Sequence, residues 1–300
     1  MPKCFPSADG TQASALYKPR SFRSHAGVAR STRLLNCALA IGGLDPGGGA
    51  GVLADLRAFS AAGVFGCAVV ALVTVQSTSG LEAADPVPSR QLLAQARAVL
   101  KHQRVRALKI GALGSDANVR ALGELLAAHR HLPAVVDPVM LPTRGRARLL
   151  RERAVRTLRD VLVPRAGLVT ANIPEAEALV GTRIVSVADA RHAALAIVGM
   201  GAHAALVKGG HLAGPRAIDV LAVGDEIVEL SSKRLALPTV HGGGCMLASL
   251  IAGRMARDER AWKADGEAMI VDAVRWAKKA HFGLLERAYD VGGEMRVLVP

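Results

Sequence analysis

The chain has 300 residues, 51% of them hydrophobic but only 3% aromatic, and it carries a formal net charge of +13 at pH 7. Aliphatic side chains must therefore form the core, which is typical of buried parallel strands covered by helices on both faces. No basic run carries stacking aromatic residues and no apolar stretch approaches the ~20 residues of a membrane span, so neither nucleic acid nor a membrane is an expected partner.

The first 36 residues differ in character from the rest of the chain. They contain no apolar core of a secretory signal. One residue among them is acidic, Asp9, and six are basic: Lys3, Lys18, Arg20, Arg23, Arg30 and Arg33. We predict a disordered basic tail over 1–36 and one domain over 37–300. The four cysteines, at positions 4, 37, 67 and 245, form no C-x-x-C pair. This usage predicts reduced thiols in a cytoplasmic protein.

Signals for strands and helices alternate after the tail. The run Cys37–Gly43 is apolar and ends in glycine, which predicts a buried strand, and apolar residues at helical spacing predict a helix over 50–63. Further strands are predicted at 66–76, 105–111, 133–139, 167–172 and 203–210. Further helices are predicted at 89–103, 117–129, 149–162, from 174, and at 187–200, 245–257 and 266–289.

The segment 217–230 interrupts this alternation, because it predicts a hairpin about Gly224–Asp225. The whole pattern predicts an α/β fold with a doubly wound, mostly parallel sheet, helices on both faces and an antiparallel hairpin at one edge. Ligands of such sheets bind outside the carboxyl ends of the strands. Glycine and polar residues collect directly after the predicted strands, which indicates a binding site at that edge.

The first glycine-rich loop, Gly42–Gly51, contains a match to the Gly-x-Gly-x-x-Ala pattern of dinucleotide-binding proteins. That pattern also requires an acidic residue at the end of the second strand, where this chain has Gln76. No G-x-x-x-x-G-K-[ST] loop occurs in the sequence either. The loop therefore predicts neither a dinucleotide-dependent dehydrogenase nor a P-loop protein.

The second loop is the better candidate for phosphate. Gly242, Gly243, Gly244 and Cys245 precede a predicted helix, so successive N–H groups would meet in one concavity at a helix N-terminus. Such a group of donors stabilises a phosphoryl group during its transfer. The same helix end should lower the pKa of the Cys245 thiol and make it a base. A tight turn with a buried cysteine is the alternative.

Three polar residues follow two other predicted strands. Asn172 and Glu175 lie where a strand passes into a helix, so they could organise Mg²⁺ through water molecules, or they could only cap the helix. Lys208 leaves a strand beside two glycines, where its point charge could meet a polyphosphate. A solvated lysine is the alternative for Lys208.

Asp55 and Gln76 point to a different kind of ligand. Asp55 falls early in an apolar helix, and Gln76 ends an almost wholly apolar strand. In a dry pocket, a carboxylate and an amide can bind the donor and acceptor edges of a small heterocycle. Asp55 could instead cap its own helix.

The chain resembles the hydroxymethylpyrimidine/phosphomethylpyrimidine kinases of thiamine biosynthesis, within the ribokinase-like superfamily. The resemblance runs from about Cys37 to Tyr289. It rests on GGLDPGGGAGVLADLRAFSAAGVFG, TVQSTSG, KIGAL, VVDPVM, NIPEAEAL, LVKGGHL with DVL, and HGGGCMLAS, in this order and with compatible spacing.

The resemblance implies a ribokinase-like single domain and an ATP- and Mg²⁺-dependent kinase. Its substrates would be 4-amino-5-hydroxymethyl-2-methylpyrimidine and then the monophosphate, which becomes the diphosphate. The implied ring contacts are Gly43, Asp55, Gln76, Ala112 and Val139. The other implied roles are a catalytic base at Cys245, an anion hole at Gly242, Gly243 and Gly244, ATP-phosphate binding by Lys208, and water-mediated Mg²⁺ binding by Asn172 and Glu175.

Five positions depart from the family pattern. The family usually has serine at Leu44, asparagine at Ser77, methionine at Ala112, threonine at Gly243 and threonine or a similar residue at Met246. The small Ala112 leaves a pyridoxal-type vitamin kinase as an alternative. The changes in the glycine loop leave a non-catalytic pyrimidine-binding protein as a second alternative. The sequence leaves open whether the chain forms a homodimer.

Overall fold

The computed structural model describes residues 34–145, 149–150, 152–258, 260 and 262–300. The tail predicted over 1–36 lies, up to residue 33, outside the described residues. Leu35–Pro300 forms one compact unit. No helix within the described ranges is long and apolar enough to cross a lipid bilayer.

Within the described residues, the central sheet has nine strands. They are β1 Cys37–Leu44, β2 Phe65–Ser77, β3 Gly80–Pro86, β4 Val105–Ile110, β5 Ala134–Val136, β6 Leu168–Asn172, β7 Ala204–Lys208, β8 Arg216–Val223 and β9 Glu226–Lys233. Their order across the sheet is β3-β2-β1-β4-β5-β6-β7-β8-β9. Neighbouring strands pair in parallel within the segment β2-β1-β4-β5-β6-β7 of this order. At the two edges, β3, β8 and β9 pair antiparallel with their neighbours.

Helices cover both faces of this sheet. They are α1 Gly51–Ala61, α2 Ser89–His102, α3 Asp116–Ala128, α4 Glu152–Thr157, α5 Ile173–Val180, α6 Val187–Gly199, α7 Gly243–Arg257 and α8 Trp262–Glu286. Helices α2 to α6 enclose one apolar core, and α1, α7 and α8 enclose the other. A short parallel pair, β10 Val240–His241 and β11 Arg296–Val297, lies outside the main sheet.

Strand β1 shows how the sequence separates the two cores. Leu39 and Ile41 pack in the core under α2 to α6, and the alternate residues Ala38 and Ala40 pack against the helices of the other face. Small side chains on this second face let α7 approach β1 and β4 closely. The N-terminus of α7 consequently lies at the carboxyl ends of the parallel strands.

The predicted fold class is confirmed, including the antiparallel hairpin of β8 and β9. The sequence analysis missed β3, because its polar and proline-containing sequence lacks the apolar signature of a buried strand and has the composition of an edge. The strand predicted over 133–139 ends at Val136, shortly before Pro138, which has no N–H for a ladder. The helix predicted from 149 begins at Glu152 and passes into a π-helical turn over Leu158–Leu162.

Candidate active site

A cavity of about 1010 Å³ opens at the carboxyl ends of the parallel strands and the N-terminus of α7. This is the edge at which α/β sheets bind their ligands. Of the predicted site residues, those that line the cavity are Gly43, Gln76, Ala112, Val139, Asn172, Glu175, Lys208, Gly242, Gly243, Gly244 and Cys245. The fold therefore brings together residues that lie far apart in the sequence.

The two glycine-rich loops pack directly against each other. Gly242 has φ +70°, and a Cβ there would collide with the Gly49 carbonyl and lie 2.8 Å from Ala50 Cα. A Cβ on Gly49 would in turn collide with the His241 ring. Gly242 is thus required by a left-handed turn and a close backbone approach, which the sequence analysis had considered only as the alternative.

The next two glycines have more open surroundings. A Cβ on Gly243 would lie 3.7 Å from Val240 Cγ1 and 3.9 Å from His281 Nε2. A Cβ on Gly244 would lie 3.3 Å from Lys208 Nζ. These positions leave the backbone accessible from the cavity and put an ammonium group beside the first turn of α7.

The first-turn amides of α7 form what we call the amide cradle, the N–H groups of residues 243–245. Helix α7 closes its first turn with the hydrogen bond from Met246 N to Gly242 O, at 2.9 Å. Among the described residues, none of the three cradle N–H groups donates to a protein acceptor. Three adjacent donors at the positive end of a helix form an anion site when they border a cavity.

Cys245 is half-buried and borders this cavity. Burial raises the pKa of its thiol to about 12; the Asp137 and Asp55 carboxylates raise it further, while Lys109 lowers it. The sequence prediction that the helix N-terminus lowers this pKa is therefore wrong. Desolvation and two nearby carboxylates outweigh the helix dipole, so the thiol keeps its proton at neutral pH.

The raised pKa predicts how Cys245 reacts with iodoacetamide. Only a thiolate is alkylated, so the rate at Cys245 should rise about tenfold per pH unit from pH 7 to 9.5 without levelling off. Mass spectrometry of the Cys245 peptide measures this rate, with circular dichroism to verify that the protein stays folded. A small-molecule thiol in the same mixture should level off near its own pKa. A plateau for Cys245 below pH 8 would contradict the raised pKa.

Asp55 requires a correction, because it does not line the cavity. Its side chain is 0% exposed, and its carboxylate accepts from Lys109 Nζ at 2.9 and 3.0 Å and from Ser249 Oγ at 2.6 Å. Lys109 does line the cavity, and sequence reasoning missed it. Burial lowers the pKa of Lys109, but Asp55 raises it above its usual value, so this ammonium stays charged. A lysine close to the carboxyl end of a largely buried strand was the available signal.

A second missed group, His241 with Asp45, joins the two glycine-rich loops beside Gln76. His241 Nε2 lies 2.8 Å from Asp45 Oδ2 and 3.0 Å from Gln76 Nε2. Asp45 also accepts the N–H groups of Gly47 and Ala50, at 2.9 and 2.8 Å. Because a carboxylate only accepts, His241 Nε2 donates to Asp45. With the proton on that nitrogen, its contact with the Gln76 Nε2 donor is not a hydrogen bond, so the Gln76 amide stays available to a ligand at the cavity wall.

Lys208 belongs to a cluster of opposite charges. Its Nζ lies 3.0 Å from Asp137 Oδ1 and 3.8 Å from Glu175 Oε2. Asp137 also accepts from Thr170 Oγ1 at 3.1 Å, and sequence reasoning missed its part in the site. Burial raises the pKa of Glu175 to about 7, although Lys208 lowers it, and Asp137 raises it. The solvated-lysine alternative is thereby excluded.

Asn172 and Glu175 form a reciprocal cap at the start of α5. Asn172 Oδ1 accepts from Glu175 N at 2.9 Å, and Glu175 Oε2 accepts from Asn172 N at 2.8 Å. The capping interpretation is confirmed. Among the residues that the structure describes, no group of three His, Cys, Asp or Glu side chains forms a complete metal site. A Mg²⁺ ion here would depend on water and phosphate oxygens for most of its ligands.

Three departures from the family pattern lie away from the cavity wall, and one of them, Leu44, packs against the core under α1, α7 and α8. Met246 is 0% exposed and packs in the core under α7 and α8. Ser77 accepts a hydrogen bond from Ser79 N at 3.2 Å at the turn before β3. In contrast, Ala112 and Gly243 line the cavity, so these two changes alter its shape.

The fold and the site together define a class of protein. A parallel α/β sheet that places unpaired helix amides, a lysine and carboxylates around one cavity is the arrangement of a phosphotransferase. Residues 45–294 match the model of the phosphomethylpyrimidine kinase family, and the chain belongs to this family. It is therefore an enzyme of the kinase class, and the non-catalytic alternative is set aside.

Similar proteins agree with this membership. The chain is 42% identical over 221 residues to the hydroxymethylpyrimidine/phosphomethylpyrimidine kinase of Rhizobium meliloti (strain 1021), covering 73% of this chain and 82% of the relative. The phosphomethylpyrimidine kinase structure from Clostridium difficile 630 matches with a TM-score of 0.70 and 32% identity, over 83% of this chain and 98% of that one. The ADP complex of Bacillus subtilis pyridoxal kinase matches with a TM-score of 0.78 and 25% identity, over 88% and 97%.

Proposed function

We propose that this kinase transfers phosphate from ATP to the hydroxymethyl group of 4-amino-5-hydroxymethyl-2-methylpyrimidine. It then phosphorylates the resulting monophosphate to the diphosphate, as part of thiamine biosynthesis. The observation that carries the proposal is the amide cradle, whose three N–H groups border the cavity beside Cys245 without a protein acceptor. The names of the relatives support the choice of substrate.

The pyrimidine ring fits the apolar part of the cavity. Ala112 and Val139 pack with the buried Leu72, and a Cβ on Gly43 would lie 3.8 Å from Ala112 Cβ. These residues form one apolar surface, which we call the apolar slot, and the ring packs against it. Gln76 then pairs with the polar edge of the ring. Asp55 acts indirectly, as a positioning residue that holds Lys109.

Phosphoryl transfer takes place at the cradle. The ring brings its CH₂OH oxygen to Cys245, and the amides of residues 243–245 hold the charge that develops on the migrating group. Lys208, beside Gly244, binds the ATP phosphates. In a loose transition state the hydroxyl proton leaves late, so the base is needed only as the phosphoryl group arrives. A thiol that carries its proton cannot accept a second one, so Cys245 acts as the base in its thiolate form, which the raised pKa makes a minor fraction at neutral pH. That thiolate takes the hydroxyl proton and becomes the neutral thiol.

The residues present fit a Mg²⁺ ion, because hard oxygen donors of Asp137 and Glu175 border the cavity beside Lys208. Glu175 and Asn172 would hold the ion through water. When bound, Mg²⁺ supplies charge compensation for the ATP phosphates. Asp137 keeps Lys208 in place on the same wall.

Pyridoxal is the second candidate substrate, favoured by the small Ala112 side chain. We expect the pyrimidine alcohol to be phosphorylated faster than pyridoxal when each is supplied at the same concentration. Ala112→Met should narrow the slot and lower kcat/KM for pyridoxal about tenfold more than for the pyrimidine. Ala178→Met, elsewhere on the cavity wall, is the matched control and should not change this ratio. Faster turnover of pyridoxal by the unaltered protein would refute the assignment.

The remaining features follow from this function. We propose a cytoplasmic enzyme whose partners are small molecules, with activity carried by residues 37–300 and none required of the tail. Nucleic acid has no part in the proposed reaction. A homodimer is compatible with it.

A further inference from the structure

His281 is a buried polar residue without an explained role. It lies on the inner side of α8, is 9% exposed, and borders the cavity. Its Nε2 atom is buried and has no hydrogen-bond partner among the described residues. Leaving a buried ring nitrogen unpaired is costly, and most buried polar atoms in proteins are paired. Four buried side-chain atoms among the described residues lack a partner, and His281 Nε2 is the one that lies beside the amide cradle, where a ligand can reach it.

The unpaired nitrogen faces the amide cradle. The position of a Cβ on Gly243 lies 3.9 Å from His281 Nε2, and the other neighbour within 4 Å of that position is Val240 Cγ1. Because Gly243 has no side chain, nothing separates the ring from the first residue of α7. A larger residue at 243 would occupy this space. The glycine therefore gives His281 access to whatever the cradle binds.

The surrounding charges keep the ring neutral. Burial lowers the pKa of His281 to about 4, and Lys278 and Lys208 lower it further. The Gly243 main chain and Asp219 raise it, although the contact between the ring and Gly243 falls outside hydrogen-bond geometry. Lys278 and Asp219 compensate each other, with Nζ and Oδ2 2.6 Å apart. A neutral imidazole has one N–H group, which can donate to an anion without the desolvation cost of a buried charge.

We propose that His281 Nε2–H donates a hydrogen bond to a phosphoryl oxygen held by the amide cradle. The inference rests on the proposed function, in which that phosphoryl group belongs to ATP or to the pyrimidine monophosphate. His281, on α8, then adds a fourth donor to the three main-chain amides of α7, while Lys208 approaches from the end of β7. It is a phosphate-binding residue of the reaction.

Two substitutions separate this role from a structural one. His281→Leu removes the donor, whereas His281→Gln keeps an N–H group near the position of Nε2. We expect His281→Leu to lower kcat/KM for the first phosphorylation about 10- to 100-fold, and His281→Gln to restore most of it. His281→Leu should not lower the melting temperature, since it replaces an unpaired buried polar atom with an apolar group. His102→Leu, an exposed histidine on α2, is the control and should behave like the unaltered enzyme.

A measurement without substrate tests the contact independently of the kinase reaction. In protein labelled with ¹⁵N-histidine, the Nε2–H signal that His281→Leu removes should shift when inorganic phosphate is added. A shift in a protein that does not phosphorylate the pyrimidine would sustain the contact and overturn the proposed function. Unaltered kinetics of His281→Leu together with an unmoved signal would overturn the role of His281 alone.

Discussion

Cys245→Ala is expected to reduce turnover of the pyrimidine alcohol by about 10²–10⁴-fold, the usual loss when a general base is removed. The thiol borders the cavity at the amide cradle, and no other side chain of the cradle residues can accept a proton. Binding of the alcohol should change little, because Gln76 and the apolar slot hold the ring. Steady-state kinetics combined with calorimetric binding of the alcohol measures the two effects separately.

The control for this substitution is another cysteine of the same fold. Cys37→Ala changes a buried thiol on β1, in the core under α2 to α6, and should leave kcat unaltered. Cys245→Ser keeps a small polar group and tests whether sulfur itself is needed. If Cys245→Ala keeps full turnover, the cradle can still bind phosphate, but Cys245 has no part in proton transfer.

Lys109→Met is expected to have the largest effect on stability, about 3–5 kcal/mol, because it leaves the Asp55 carboxylate buried without its cation. Asp55 is 0% exposed and would keep only the Ser249 hydroxyl as a partner. The free energy of unfolding from urea titration measures the loss. Adding Asp55→Asn to Lys109→Met removes the unpaired charge, so the double variant should regain a large part of the lost stability.

An exposed ion pair provides the comparison for Lys109. Arg183 is 87% exposed and lies 3.7 Å from Glu177. Such pairs contribute little because solvent screens them, so Arg183→Met should unfold like the unaltered protein. A Lys109→Met variant of normal stability would show that the Asp55–Lys109 contact does not hold α1 against β4.

Most of the fold could be predicted from the sequence because its signals are local. Apolar runs that end in glycine mark the parallel strands, and apolar residues at helical spacing mark the helices between them. Strand β3 escaped this approach, since an edge strand needs no apolar run. Successive side chains of β1 point to opposite faces of the sheet, so Leu39 and Ile41 enter one core, and Ala38 and Ala40 enter the other.

The candidate site was predicted less completely, because its contacts join distant parts of the chain. His241 reaches Asp45 across 196 residues, and Lys208 reaches Asp137 across 71. No local pattern reveals such partners. The pKa of Cys245 has the same origin, since the burial and the carboxylates that raise it come from other elements of the fold. The sequence placed Asp55 correctly in the early part of a helix. The direction of its side chain, away from the cavity, depends on the contact with Lys109 on β4.

The account depends on the cradle of residues 243–245 accepting a phosphoryl group in transit from ATP to the pyrimidine. The most direct test incubates the purified protein with ATP, Mg²⁺ and the pyrimidine alcohol, and resolves the mono- and diphosphorylated products over time. We predict that the monophosphate appears first and then declines as the diphosphate accumulates, with ATP consumed in step. Absence of both products, with no alcohol-dependent loss of ATP, would contradict the account.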